Sequence, residues 1–148
     1  IITDHYAPLY RMLTQFAQGK VYIPGGALYP VWLSPEGTDV IPPDENSVFL
    51  ELDIPDGFYI LANNEAWDFM INHLYFPLDR SDAEAHETEL ERYGISSPSS
   101  LVGGSTGNFY PVLKQKVLRS WERIYTQMPS DPNMIVGLCW ELRREWLR

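Results

Sequence analysis

Residues Ser47 to Ile54, SVFLELDI, put Val48, Leu50 and Leu52 on one side and Phe49, Glu51 and Asp53 on the other. That period of two is what a pleated strand with one buried face imposes. Pro55-Asp56-Gly57 follows at once. Proline fixes φ and glycine supplies a positive φ, so the chain turns there. Phe58 to Ala62 then reads as a second strand. Residues 47–62 are therefore expected to form a hairpin or a sharply bent strand pair, which commits the chain to a sheet.

The remainder mixes helices with short strands. Thr3 or Asp4 is placed to cap a helix whose Tyr6, Leu9, Tyr10, Leu13 and Phe16 share a face at 3,4 spacing. Gly25-Gly26 breaks the chain, and Leu28 to Leu33 reads as a short strand that Pro30 confines to an edge or an irregular start. Ser34-Pro-Glu-Gly37 is a turn, extended by Pro42-Pro43-Asp44 into a loop. Asn63 or Asn64 caps a helix carrying Trp67, Met70, Ile71 and Leu74, with Pro77 as its stop. Asp82 to Arg92 is helical but almost wholly polar, which predicts a surface helix. Ser96 to Asn108 is rich in Ser and Gly and reads as a flexible loop.

The longest helix is expected from about Phe109 to Met128, with Leu113, Val117, Trp121, Ile124 and Met128 on one face and Pro129 and Pro132 ending it. Ile135, Val136 and the following aromatic favour a last strand that starts at Met134 and reaches at least Leu142. This order predicts an α+β fold, a small mixed or antiparallel sheet packed against three to four helices, in a single domain over 1–148. The chain opens on Ile1 rather than Met, and the expectation is that a native N-terminal segment is missing.

Composition narrows the function classes. A chain of 148 residues buries about two-thirds of its unfolded surface. With 45% hydrophobic, 14% aromatic and 21% charged residues, it has the material for a core. No run approaches the length of a membrane-spanning helix. Cys139 is the one cysteine, so an internal disulfide is excluded and a reducing, cytoplasmic setting is expected. The formal charge is −9. Residues 1–108 carry 4 basic and 16 acidic side chains, residues 109–148 carry 7 and 4. An acidic domain repels a phosphate backbone, which argues against general nucleic-acid binding. The basic C-terminal third leaves room for a small phosphorylated ligand or an acidic partner.

Strong chemical motifs are absent. No phosphate-binding P-loop, dinucleotide glycine fingerprint, nucleophile elbow, zinc-protease motif or paired CxxC occurs. Cys139 lies in an apolar run and reads as an inert buried thiol. His86 with Glu87 and Glu91 has helical spacing for a metal, but carboxylate-rich surface helices are normally just solvated, so no metal is expected. Gly103-Gly-Ser-Thr-Gly-Asn108 precedes a helix and has the small residues of an anion cradle; a capped flexible loop has the same composition.

Three stretches carry a resemblance. Tyr29-Pro-Val-Trp32, then Val48-Phe-Leu-Glu-Leu-Asp-Ile-Pro-Asp-Gly57 leading to Trp67, then Ser120-Trp-Glu-Arg-Ile124 with Cys139-Trp-Glu-Leu142, together resemble an uncharacterised bacterial family, the domain of unknown function numbered 3841. The similarity runs from about residue 6 onward. It departs from the family in three places: no Leu-Trp-Thr-Ile-Gln-like opening strand precedes Ile1, Val136 stands where a Gln is often found, and residues 80–107 have no matching pattern.

The family's order of elements is reminiscent of small ADP-ribosyltransferase-like domains. That likeness implies an NAD-using site in which Glu141, on the last strand, stabilises positive charge as the bond to nicotinamide breaks. Tyr29 or Trp32 would stack on a ligand ring, and Arg119 or Arg143 would hold phosphates. Against it stands a surface Glu141 paired with Arg143 or Arg144, and core roles for Trp32, Trp67, Trp121 and Trp140. The preferred reading is a binding or interaction domain with no cofactor, whose partner is an unknown protein or a small nucleotide.

Overall fold

The computed structural model of the chain describes residues 2–148, and they divide into two compact units, residues 2–62 with 129–148 and residues 63–128. Among the described residues, five α-helices and three strands make the fold α+β.

The first unit holds α1 (Ile2–Ala17), β1 (Val31–Leu33), β2 (Ile60–Asn63, whose last residue begins the second unit) and β3 (Ile135–Cys139). The sheet order is β1-β3-β2, with β1 antiparallel to β3 in the register Val31↔Cys139, Trp32↔Leu138, Leu33↔Gly137. Gly137 suits that register, because a Cβ there would stand a tight 3.1 Å from the Cβ of Leu33. Leu9, Leu13, Ala17, Leu138, Cys139 and Trp140 are buried together with Thr14. The Thr14 hydroxyl accepts the indole N–H of Trp140 at 2.8 Å and donates to the carbonyl of Leu28 at 2.7 Å. The helix already runs at Thr3 and Asp4, so neither is its cap, and Asp4 lies in the first turn where the helix dipole favours an acid.

The expected strand 47–54 does not form. Only Leu52 bridges to another segment, antiparallel to Leu147, and residues 47–51 are exposed. The Pro55-Asp56-Gly57 turn is there, with Gly57 at φ 89° and the Phe58 amide donating to the Pro55 carbonyl at 3.2 Å. It does not close a hairpin, because Tyr22 takes the Gly57 carbonyl through its own amide at 2.8 Å and the chain beyond runs into the sheet as β2. Two other strands are shorter than expected for one shared reason. Pro30 has no N–H with which to extend the ladder past Val31↔Cys139. So β1 starts at Val31 rather than Leu28, and β3 ends at Cys139 rather than Leu142.

The second unit holds α2 (Asn64–Ile71), α3 (Arg80–Arg92), α4 (Ser100–Gly103) and α5 (Pro111–Trp121), the last continued by a 3-10 turn over Glu122–Tyr125. Asn63 caps α2 by accepting from the Glu65 amide at 2.9 Å, while its own amide group donates to the Gln127 carbonyl at 2.7 Å. Trp67, Met70, Leu101, Val117, Trp121 and Ile124 are buried in its core. α2 ends at Ile71, well before Pro77; His73 at φ 56° and the hydrogen bond from the Trp121 indole to the Leu74 carbonyl at 2.7 Å turn the chain away.

The longest helix is α1, with 16 residues, since α5 starts at Pro111 and tightens into a 3-10 turn after Trp121; Met128 is exposed. The segment 96–108 is ordered: it contains α4 and a 3-10 turn over Thr106–Asn108, and buries Leu101 fully. Its small residues serve close packing, because a Cβ on Gly107 would stand 2.1 Å from the Leu101 carbonyl oxygen. The amides of Gly103, Gly104 and Asn108 donate to the carbonyls of Ser99, Ser100 and Ser105, which leaves them unavailable to an anion. α3 is polar and mostly exposed, as its composition requires, yet His86 and Leu90, one turn apart, are buried.

Candidate functional site

In the first unit one face of α1 and the chain entering β1 enclose a groove of about 500 Å³. Thr3, Tyr6, Ala7 and Tyr10 recur at helical spacing and so share a face. Tyr29, Pro30 and Trp32 close the other side. The Tyr6 and Tyr10 rings lie 6.3 Å apart, and Tyr10 meets Tyr29 edge to face at 6.3 Å and 80°. These are favourable aromatic geometries that hold the walls in place. The Arg11 guanidinium donates to the Tyr29 hydroxyl at 3.5 Å. No aspartate, glutamate, histidine, lysine, arginine or cysteine is among the described residues that line the groove. Its chemistry is that of planar rings, one proline and phenol hydroxyls.

Glu141 and Arg143 stand apart from this lining. The Arg143 guanidinium donates to the Glu141 carboxylate at 3.2 Å, and about a third of each side chain is exposed. Glu141 raises the Arg143 pKa further above its ordinary value. The guanidinium also lies over the rings of Phe58 at 4.8 Å, Trp146 at 5.3 Å and Tyr22 at 5.9 Å. Glu141 follows the end of β3 rather than lying on it. Arg119 is exposed on α5, in the second unit. Of the five residues singled out in the sequence, the structure thus brings Tyr29 and Trp32 together in the groove and Glu141 and Arg143 together in an ion pair.

Tyr6 and Tyr10 are the groove residues that sequence reasoning missed, since 3,4 spacing assigned them to a buried face. The usable signal was residue type: a tyrosine pair one turn apart keeps two hydroxyls that a dry core does not satisfy.

The second unit carries a separate polar cluster. Asp82 accepts from the Tyr75 hydroxyl and from the Leu78 amide, both at 2.8 Å. The Leu78 amide is the main reason its pKa lies below the ordinary aspartate value, and burial pushes Tyr75 up, with the Asp82 bond adding to it. The His86 ring stacks on Tyr75 at 4.3 Å. Lys116 lies 4.9 Å from the centre of the Tyr75 ring and binds Glu89 at 2.9 Å. His86 Nδ1 is buried without a hydrogen-bond partner, and burial, then the Lys116 charge, lower its pKa. His86 is buried while Glu87 and Glu91 are exposed, so the three do not converge, and no group of metal-binding side chains occurs among the described residues. Cys139 is a fully buried free thiol whose pKa burial raises.

Among the described residues no helix is long and apolar enough to cross a membrane. No curated protein and no solved structure is similar enough to the chain to count as a match. A family model does match, over residues 1–148 and thus the whole chain: the chain belongs to the family described as Domain of unknown function (DUF3841).

Proposed function

We propose that this chain is a non-catalytic binding domain of the bacterial cytoplasm whose aromatic groove receives a proline-rich peptide. The observation that carries the reading is the groove's lining, Tyr6, Tyr10, Tyr29, Pro30 and Trp32, in which no acidic, basic or thiol side chain takes part among the described residues. Rings held at fixed angles are the surface on which polyproline II segments dock, because such segments offer flat prolines and carbonyls with no internal hydrogen bonds. Phenol hydroxyls supply the donors for those carbonyls. The net charge of −9 favours a peptide with basic flanks over a polyanion. The lone, buried thiol of Cys139 suits a reducing compartment.

Nothing comparable supports an NAD-using transferase. Its required carboxylate, Glu141, is engaged by Arg143 and is not part of the groove's lining.

The test is calorimetric titration with a polyproline peptide flanked by lysines. Binding should weaken about tenfold or more in Tyr10→Ala and Trp32→Ala, the equivalent of about 1.4 kcal/mol. Thermal unfolding with NAD⁺ serves as the counter-test. A ligand at about 100 times its dissociation constant adds about 2.7 kcal/mol. A shift of that size with NAD⁺ that disappears in Glu141→Gln, together with no peptide binding, overturns the reading.

A further inference from the structure

A second surface of the first unit is independent of the groove. Residues 51–53 pair with the C-terminal residues: Leu52 bridges Leu147, the Asp53 amide donates to the Trp146 carbonyl at 2.7 Å and the Arg148 amide donates to the Glu51 carbonyl at 2.9 Å. The ladder stops there. Among the described residues, no backbone hydrogen bond engages Val48, Phe49 or Leu50. Their side chains face solvent, with Val48 82%, Phe49 50% and Leu50 56% exposed, and Ile41 nearby in sequence is 89% exposed. Phe49 together with Val40, Ile41, Pro42 and Pro43 lines an apolar hollow of about 340 Å³. The sequence in this stretch has strand periodicity, but no strand forms over residues 47–50, and the backbone of residues 48–50 is left unpaired among the described residues. Unpaired edges and contiguous apolar patches are normally covered.

Charge selects the occupant. Residues 36–53 contain Glu36, Asp39, Asp44, Glu45, Glu51 and Asp53 and not one Lys, Arg or His. The cation bonded to this segment is Arg148, which engages Asp53 and lies 3.9 Å from Glu51. A second copy of the same strand would bring acid against acid, which like-charge pairing across strands disfavours. A strand that alternates apolar residues with lysine or arginine fits both the hollow and the field.

We propose that residues 47–50 form an open strand edge that is completed by an extended basic segment of another polypeptide, its apolar side chains entering the hollow of Val40, Ile41 and Phe49. Backbone pairing supplies affinity in this mode, and the hollow with its acidic surround supplies selectivity.

The experiment titrates the whole chain with a synthetic peptide alternating valine and lysine. Amide resonances are followed by NMR and affinity by calorimetry. The amides of Val48, Phe49 and Leu50 should shift. Affinity should fall about tenfold when the peptide backbone is N-methylated, and again in Ile41→Ser with Phe49→Ser, exposed positions whose change spares the core. It should also fall as salt rises, while Tyr10→Ala leaves it unchanged. Equal binding of a valine–glutamate peptide, indifference to N-methylation, or shifts confined to other residues overturns the proposal. So does a concentration-dependent dimer of the chain alone that Ile41→Ser abolishes, because the face is then covered by a second copy.

Discussion

Thr14 and Trp140, 126 residues apart in the chain, share one hydrogen bond: the indole N–H of Trp140 reaches the Thr14 hydroxyl at 2.8 Å, and that hydroxyl in turn donates to the Leu28 carbonyl. One buried side chain thus ties the first helix, the chain before the first strand and the residue after the last strand. Thr14→Val preserves shape and removes both bonds, leaving the buried indole N–H of Trp140 without its partner. It should lower unfolding free energy by about 1–3 kcal/mol, measured as the urea midpoint of the variant against the parent. An unchanged midpoint would show that water takes over that N–H.

Gly107→Ala tests whether the segment 96–108 is ordered by contact or is merely short of side chains. The new methyl would overlap the Leu101 carbonyl oxygen, a backbone atom that has no rotamer with which to move aside. The expected loss is about 1–3 kcal/mol, the range of overpacked sites. A flexible loop would absorb the methyl, and the midpoint would then not move.

His86 makes stability depend on pH. Its folded pKa lies below the ordinary 6.5, because burial and then Lys116 disfavour the charged ring, with Glu89 and Asp82 acting weakly the other way. Below pH 6.5 the unfolded chain takes up a proton that the folded chain does not. Stability from this group is therefore complete above 6.5 and is lost as pH falls toward the folded pKa. The lowered carboxylates of Asp82 and Asp53 add a separate loss at more acidic pH, below the ordinary aspartate value of 3.8. His86→Phe keeps a ring against Tyr75 and should flatten urea midpoints between about pH 7 and pH 5. Parallel curves for the variant and the parent in that window would refute the assignment.

Glu141 and Arg143 separate a structural role from a catalytic one. Arg143 touches three aromatic rings, whereas Glu141 makes one partly exposed ion pair with it. Exposed pairs contribute little. Arg143→Ala should therefore lower the thermal midpoint more than Glu141→Gln, which should leave it near the parent value. The reverse order would mean that the carboxylate holds something that Arg143 does not.

What the sequence disclosed and what it withheld follow from range. Local chemistry was legible: the Pro55-Asp56-Gly57 turn, the Asn63 cap and the apolar run of the last strand all form where residue type alone demands them. Pairing was not. Alternation in SVFLELDI states which side chains share a face, but says nothing about which backbone will supply the partner, and only residues 51–53 find one, in residues 146–148. Composition misled at 96–108, where serine and glycine suggested mobility and in fact permit the close approach around Leu101. The groove was half visible. Tyr29 and Trp32 stood out as aromatics near a break in the chain. Tyr6 and Tyr10 have the spacing of core residues, and only the position of β1 beside the helix turns their face into a wall.

Cys139 closes the register of the last strand, fully shielded and with its ionisation held back by burial. A thiol reagent added to the native protein must therefore wait for this sheet to open before it can react. With one sulfhydryl per chain, each modified molecule records one opening event. The labelling rate is then a built-in clock for fluctuations of the first unit, read by mass spectrometry without any introduced probe.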